Sequence, residues 1–207
     1  MKSTAMYDSS SGVPAQFCCF ANEVRSIRVC WKVWLRLFHI DGDSSKLQSV
    51  YQKCSQVWGH IRWSLLSMVV LEISRLIDPP VMHGRPNLVI RSVWESIDRG
   101  RAPELLAPAE RRLRQFEEQA KLLKPLRNRV LAHNDEATLL GQDVADADIE
   151  TIRAAVEYLA CFERLVRAIC SDDLAVQTHV AEAPRDYSLE RQIELEVDAL
   201  YAQLRRQ

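Results

Sequence analysis

Glycine and proline are scarce in this chain, with six and eight among 207 residues. Tightly turning β-rich proteins use both residues often, so their scarcity argues against that class. An excess of charge of one sign is also missing, because the formal net charge is only −1. Bulk electrostatics therefore do not recruit nucleic acid, and any such binding requires a local basic patch.

Long hydrophobic runs are missing as well. The most apolar stretch, residues 65–77, is interrupted by Glu72 and Arg75 and falls short of the ~18 apolar residues of a membrane span. The first twelve residues are polar and serine-rich and lack the apolar core of a signal peptide. We therefore expect a cytoplasmic protein with no membrane partner.

Signals for a metal site or a disulfide framework are also absent. The six cysteines show no CxxC spacing and have no accompanying histidines, and they fall in helical patterns. This arrangement predicts free core thiols in a reducing compartment. No glycine-rich phosphate loop or zinc motif occurs, so the sequence predicts neither a metal nor a cofactor.

What the chain does have is helical periodicity. Apolar residues recur at steps of three and four in five stretches, which predicts an all-α bundle over residues 16–171. The predicted helices cover residues 17–38, 46–77 and 88–97, a stretch from Pro103 or Pro108 that Pro125 kinks or restarts, and a stretch from Asp146 or Asp148 to 170. The seam of the second helix is predicted to include Val57, Ile61 and Met68. A disordered tail (1–15), a linker (172–187) and a C-terminal amphipathic helix (188–207) complete the predicted organisation.

Residues 122–135 interrupt this pattern with polar groups able to act on a phosphodiester. The buried seam of the preceding helix continues to Arg127, so an arginine is predicted to face a helix interface, where an unpaired charge is costly. Asn128 follows with both a donor and an acceptor, and His133 is of the residue type whose unperturbed pKa lies closest to neutrality. On one helix Arg127 and His133 would lie roughly 120° apart.

Two arrangements bring Arg127 and His133 together: a helix that ends near His133, or a second copy of the chain that supplies half of the site. Arg129 and His133, four residues apart, share a helix face and suit one anion directly. The alternative is structural, with Arg127 paired to a core carboxylate and His133 merely ending a helix. Glu72 requires a cationic partner, for which Arg75 and Arg127 are the candidates.

Charge is distributed unevenly around this stretch. Residues 110–129 contain seven basic and three acidic side chains, whereas residues 135–150 contain six acidic and no basic ones. One interpretation is a basic surface for RNA around Lys121 and Lys124, which the acidic loop steers or covers. The other is a solvated helix face followed by a polar loop.

The order Arg127, Asn128 and, after four intervening residues, His133 resembles the signature of the HEPN superfamily (higher eukaryotes and prokaryotes nucleotide-binding). Residues 74–79 (Ser-Arg-Leu-Ile-Asp-Pro) and 132–135 (Ala-His-Asn-Asp) are similar to its AbiU-like abortive-infection branch. The resemblance implies an up-and-down bundle of four or five helices, and a homodimer whose motifs face one cleft. It also implies a metal-independent endoribonuclease in antiviral defence or toxin function.

The resemblance assigns roles to individual residues. His133 would act as general acid or base, Arg127 would neutralise transition-state charge, and Asn128 would orient the phosphate or His133. The substrate-binding candidates are Arg129, Lys124 and Lys121. The candidates for positioning these and the catalytic side chains, without contacting substrate, are Glu72, Arg75, Asp78, Asn134 and Asp135.

The candidate partners are RNA, a second copy, and an antitoxin or defence-system protein. Some relatives are silenced by modification of a tyrosine after the motif histidine, but Asn134 and Asp135 occupy those places here. Two alternatives stay open. One is a non-catalytic helical module that binds RNA, a nucleotide or a protein; the other is a structural dimeric bundle with Arg127 sealed against Glu72.

Overall fold

The computed structural model of the chain describes residues 15–38, 45–82, 84–131 and 146–171; within these ranges the side chains of residues 45–55, 85, 129–131 and 146–147 are not described. The elements, in chain order, are α1 (Ala15–Phe38), α2 (Ser45–Arg75), β1 (Val81–Met82), β2 (Arg85–Pro86), α3 (Ile90–Glu95), α4 (Pro103–Leu122), α5 (Lys124–Leu131) and α6 (Asp146–Cys170). The predicted all-α class is confirmed. The predicted linker and C-terminal helix lie outside the described residues, and so does the predicted tail except for Ala15, which begins α1.

α1 and α2 form an antiparallel hairpin. At one end of the hairpin, Arg75 of α2 contacts Glu23 of α1 at 2.9 Å. At the other end, the rings of Phe38 and Trp58 meet edge to face, with their centroids 6.1 Å apart. The predicted α1 stripe is buried from Phe17 to Trp34, and at its last step Leu37 is buried while Phe38 is only partly buried.

The core lies where α1, α3 and α6 meet, with α4 packed along α6. Phe162 of α6 contacts Phe20 of α1 and Trp94 of α3, with ring centroids 5.9 and 5.8 Å apart. Edge-to-face pairs of this kind add to the stabilisation from apolar burial. Trp31 and Trp34 are buried and stacked on each other, as their positions on the α1 stripe predict.

The seam predicted for α2 is partly wrong. Val57, Ile61 and Met68 are exposed, whereas Trp58, which also belongs to the predicted seam, is buried. The rest of the buried face carries Leu66, Val69, Val70 and Ile73. The physical reason is that α2 is apolar on several sides. Periodicity locates one stripe well, but it does not choose between two apolar faces.

The segment between α2 and α3, predicted to be a loop, contains a two-residue antiparallel hairpin. β1 pairs with β2 through Val81–Pro86 and Met82–Arg85. Gly84 occupies its turn with φ +74°, a conformation that glycine adopts without steric cost. The hairpin leaves from the end of α2, where the site described below begins.

Candidate functional site

Arg127 lies in the first part of α5. α4 ends at Leu122, Leu123 forms a turn, and α5 begins at Lys124, so Pro125 falls in a first helical turn, where proline is tolerated. The buried position after Leu123 is Leu126, which is 2% exposed, whereas the Arg127 side chain is 33% exposed. The prediction that Arg127 continues the buried seam is therefore wrong, because the chain restarts a helix at Lys124 and shifts the seam by one residue.

Asp78 is the ion-pair partner of Arg127. The two side chains meet at 3.2 Å between Nη1 of Arg127 and Oδ1 of Asp78, and the Asp78 side chain is only 15% exposed. Asp78 follows the last turn of α2, and its backbone N–H donates to the Arg75 carbonyl at 3.2 Å. A carboxylate is unfavourable at the C-terminal end of a helix, where the helix dipole is negative. The Arg127 guanidinium offsets both the charge of Asp78 and the partial negative charge of the helix end.

The chain around Asp78 is held by backbone contacts. The Ile90 N–H donates to the Leu76 carbonyl at 2.9 Å, which joins the start of α3 to the end of α2. Asn87 donates from its backbone to the Pro80 carbonyl at 2.8 Å and from its side chain to the Pro79 carbonyl at 2.9 Å. These bonds close the β1–β2 segment on itself and fix the direction in which Asp78 leaves α2.

Glu72 and Arg75, predicted to support the site, form a separate cluster. Arg75 contacts Glu72 at 2.7 Å and Glu23 of α1 at 2.9 Å. Of the two candidate partners of Glu72, Arg75 is therefore the one observed; the pairing of Glu72 with Arg127, and with it the sealing of Arg127, is wrong. Burial raises the pKa of Glu72. Arg75 lowers this pKa by less than burial raises it, and Glu23 raises it further.

The basic stretch of residues 110–129 is not one continuous surface. Arg112 bonds Gln115 at 2.9 Å and lies over the Tyr158 ring of α6. Arg114 pairs with Glu110 at 3.3 Å. Glu110 and Glu117 also bind Arg91 of α3, at 3.2 and 2.6 Å.

Of the basic groups that remain, Arg111 is exposed on α4, and the others lie at the junction of α4 and α5. Lys121, Lys124 and Asn128 are exposed there, and Arg127 is partly exposed. Among the described side chains, no ion pair of Lys121 or Lys124 is present. The candidate surface for an anion is therefore this junction, and it is smaller than the sequence suggested.

His133, Asn134 and Asp135 lie outside the described residues, and so does the Arg129 side chain. The meeting of Arg127 with His133 therefore stays a prediction. The sequence does not predict the pairing of Arg127 with Asp78, although Asp78 is among the residues predicted to support the site. Its signal in the sequence is an acidic residue placed directly before Pro79 and Pro80 at a helix end.

Other kinds of site find little support in the described part of the chain. No group of three His, Cys, Asp or Glu side chains there is arranged to hold a metal ion. Among those residues, no helix combines the length and apolar character needed to cross a membrane. The five described cysteine side chains are free thiols; Cys170 is buried and Cys19 is exposed, so the prediction of core thiols is wrong for Cys19.

Comparison with known proteins places this geometry in a family. A family model described as AbiU2, of the HEPN type, matches residues 13–183, which is most of the chain. No curated protein and no solved structure matches. The matched range includes α1 to α6, the Asp78–Arg127 pair and the stretch through His133. The chain belongs to the HEPN AbiU2 family.

Proposed function

We propose that this protein is a metal-independent endoribonuclease of the HEPN type that acts in antiviral defence or as a toxin. The observation that carries the proposal is the state of Arg127, which is held by Asp78 yet one-third exposed. The structural alternative, in which Arg127 is sealed against Glu72, is therefore not observed. This guanidinium keeps access to solvent, and Asn128, Lys121 and Lys124, which are close to it in the sequence, are exposed.

The proposed reaction uses the residue types of the motif. The 2′-hydroxyl of the RNA attacks the adjacent phosphorus, the bond to the 5′-oxygen breaks, and a 2′,3′-cyclic phosphate forms. His133 takes the proton of the attacking hydroxyl or gives one to the leaving oxygen. Arg127 neutralises the charge that develops on the phosphorane oxygens, and Asn128 orients the phosphate or His133.

The proposal includes a homodimer in which two copies of the motif face one cleft, because Arg127 and His133 do not readily converge on one helix. RNA and a second copy are the partners that this chemistry requires. An antitoxin or another defence-system protein is a further candidate partner. The cytoplasm, where RNA is present, is the proposed location.

The test is incubation of the purified full chain with RNA in the presence of a chelator, followed by analysis of the product ends. We expect cleavage with cyclic phosphate ends. His133→Ala and Arg127→Ala should each abolish it without changing helical content by circular dichroism. Arg114→Ala is the matched control, because Arg114 is an exposed arginine on α4 that pairs with Glu110. Cleavage that survives both motif substitutions would end the proposal.

The second candidate function is a non-catalytic module that binds RNA, a nucleotide or a protein. It is favoured by the exposure of Lys121 and Lys124 on either side of Leu122, which is itself 62% exposed. Apolar and cationic groups side by side suit a base and its phosphate together. Retention of intact RNA by the full chain, equally strong in His133→Ala, would select this function over the nuclease.

A further inference from the structure

Three large apolar side chains form an exposed row on α2. Val57, Ile61 and Met68 are 58%, 37% and 44% exposed. At 100° per residue they fall within about 40° of arc, so they share one face of the helix. We call this row the α2 stripe. Scattered exposed apolar residues are ordinary, but an aligned row on one helix indicates a surface that another element covers.

The charge of the α1–α2 hairpin limits what can cover the stripe. The two helices carry eight basic residues and two acidic ones, Glu23 and Glu72. Twofold pairing of two copies through this face would place one basic hairpin against another, which is unfavourable. An occupant that is both apolar and acidic fits better.

The C-terminal segment combines these properties with a helical repeat of its apolar residues. Residues 188–207 repeat apolar side chains at steps of four, four, three and four, namely Leu189, Ile193, Val197, Leu200 and Leu204. From Glu190 to Asp198 the segment has four acidic residues and one basic residue. As a helix it would present an apolar row about 22 Å long, against about 16 Å for the α2 stripe.

The end of α6 lies within reach of the stripe. Arg167, in the last turn of α6, lies over the ring of Phe17 at 5.8 Å, which places this end beside the start of α1. The contact of Arg75 with Glu23 puts the end of α2 near the first half of α1. Met68 is about 10 Å along α2 from Arg75, while residues 172–187 extend up to about 50 Å.

We propose that residues 188–207 form an amphipathic helix that packs its apolar row over the α2 stripe of the same chain. Burial of the apolar side chains of both rows drives the contact. The acidic side chains along the segment are attracted to the basic α1–α2 hairpin. The proposal does not depend on ribonuclease activity.

The chain offers an internal pair of probes for this contact. Met68 on the stripe and Met82 on β1 are exposed to nearly the same extent, 44% and 46%. We expect hydrogen peroxide to oxidise Met68 several-fold more slowly than Met82 in the full chain, as measured by peptide mass spectrometry. The double variant Val197→Asp/Leu200→Asp should raise the Met68 rate to that of Met82. Ala202→Asp, on the opposite face of the segment, should leave the protection intact.

A second measurement changes the α2 stripe and observes the C-terminal segment, so that the test does not depend on the Val197→Asp/Leu200→Asp variant alone. Ile61→Asp should increase amide hydrogen exchange across residues 188–207, whereas Leu122→Asp, at a more exposed apolar position outside the stripe, should not. Equal oxidation of Met68 and Met82 in the full chain would overturn the proposal. So would protection of Met68 that survives Val197→Asp/Leu200→Asp, or protection that appears only at concentrations where light scattering detects a dimer, which would assign the stripe to a second copy.

Discussion

The Asp78–Arg127 pair joins two residues 49 positions apart, and it aims the guanidinium more than it stabilises the fold. A partly exposed ion pair is worth about 1 kcal/mol or less. The direction of the guanidinium matters more, because misplacing a catalytic group by about 1 Å can cost roughly 10²-fold in rate. Asp78 is therefore a positioning residue in the proposed nuclease.

We expect Asp78→Asn to lower the RNA cleavage rate by about 10²-fold, because the amide keeps the shape of Asp78 but releases Arg127. The free energy of unfolding, measured in urea, should change by only about 1 kcal/mol. Single-turnover cleavage and urea titrations measure the two effects separately. Asp98→Asn is the control, since Asp98 is exposed and pairs with Arg101 away from α5. A large loss of stability with an unchanged cleavage rate would assign Asp78 a structural role only.

Glu72 should make the protein less stable as the pH rises above about 4.5. Burial raises its pKa in the folded chain, so the unfolded chain releases the proton first. The contribution of this group to stability is therefore complete below its ordinary pKa of 4.5 and declines through the folded value. We expect the stability of Glu72→Gln, relative to the natural chain, to increase between pH 4.5 and pH 7 in urea titrations.

Glu110 is the control of opposite sign. Burial acts to raise its pKa, but hydrogen bonds from Arg114 and Arg91 outweigh burial, so the pKa is lowered. Its stabilising contribution is present above pH 4.5 and is lost as the pH falls. Glu110→Gln should therefore lose relative stability as the pH rises to 4.5 from below, and should change little between pH 4.5 and pH 7. If the relative stabilities of Glu72→Gln and Glu110→Gln changed with pH in the same direction, the opposite pKa shifts assigned to the two carboxyl groups would be contradicted.

At the scale of single elements, the sequence predicted those helices that have one apolar stripe. α1 and α6 each bury one row of residues spaced by three and four, so periodicity gives both their extent and their buried face. α2 differs because apolar residues occupy several of its sides. Its extent was predicted, but the exposure of Val57, Ile61 and Met68 was not. The two-residue strands β1 and β2 are too short to produce any period.

The candidate site shows the same division between local and long-range information. The type and order of Arg127, Asn128 and His133 are local, and they were sufficient to select the stretch. Pro125 predicted a break, but the turn falls at Leu123, and this shift moves Leu126 into the core and Arg127 to its edge. The choice of Asp78 over Glu72 as partner depends on how the end of α2 approaches α5, which no periodicity within one helix encodes.

At the scale of the whole molecule, a net charge of −1 conceals an uneven distribution. The α1–α2 hairpin is basic. On α4, Arg114 pairs with Glu110 and Arg112 lies over the Tyr158 ring, while Arg111 and Lys121 are exposed. Lys121 and Lys124 at the α4–α5 junction are the exposed cations nearest to Arg127 in the sequence. RNA binding should therefore depend on a few local charges, and its salt dependence should be shallow for a nucleic-acid-binding protein.

The salt dependence of RNA binding tests this distribution. In a His133→Ala background, which the proposed mechanism makes inactive, the logarithm of the binding constant should fall linearly with the logarithm of salt concentration. Each phosphate contact to single-stranded RNA contributes about 0.7 to the slope. Lys121→Gln and Lys124→Gln should each reduce the slope by about that amount, as measured by fluorescence anisotropy. Arg25→Gln, which removes an exposed charge on α1, should leave it unchanged. A slope that falls with Arg25→Gln and not with the lysine substitutions would move the RNA surface to the α1–α2 hairpin, because each slope counts the phosphates that its own cation neutralises.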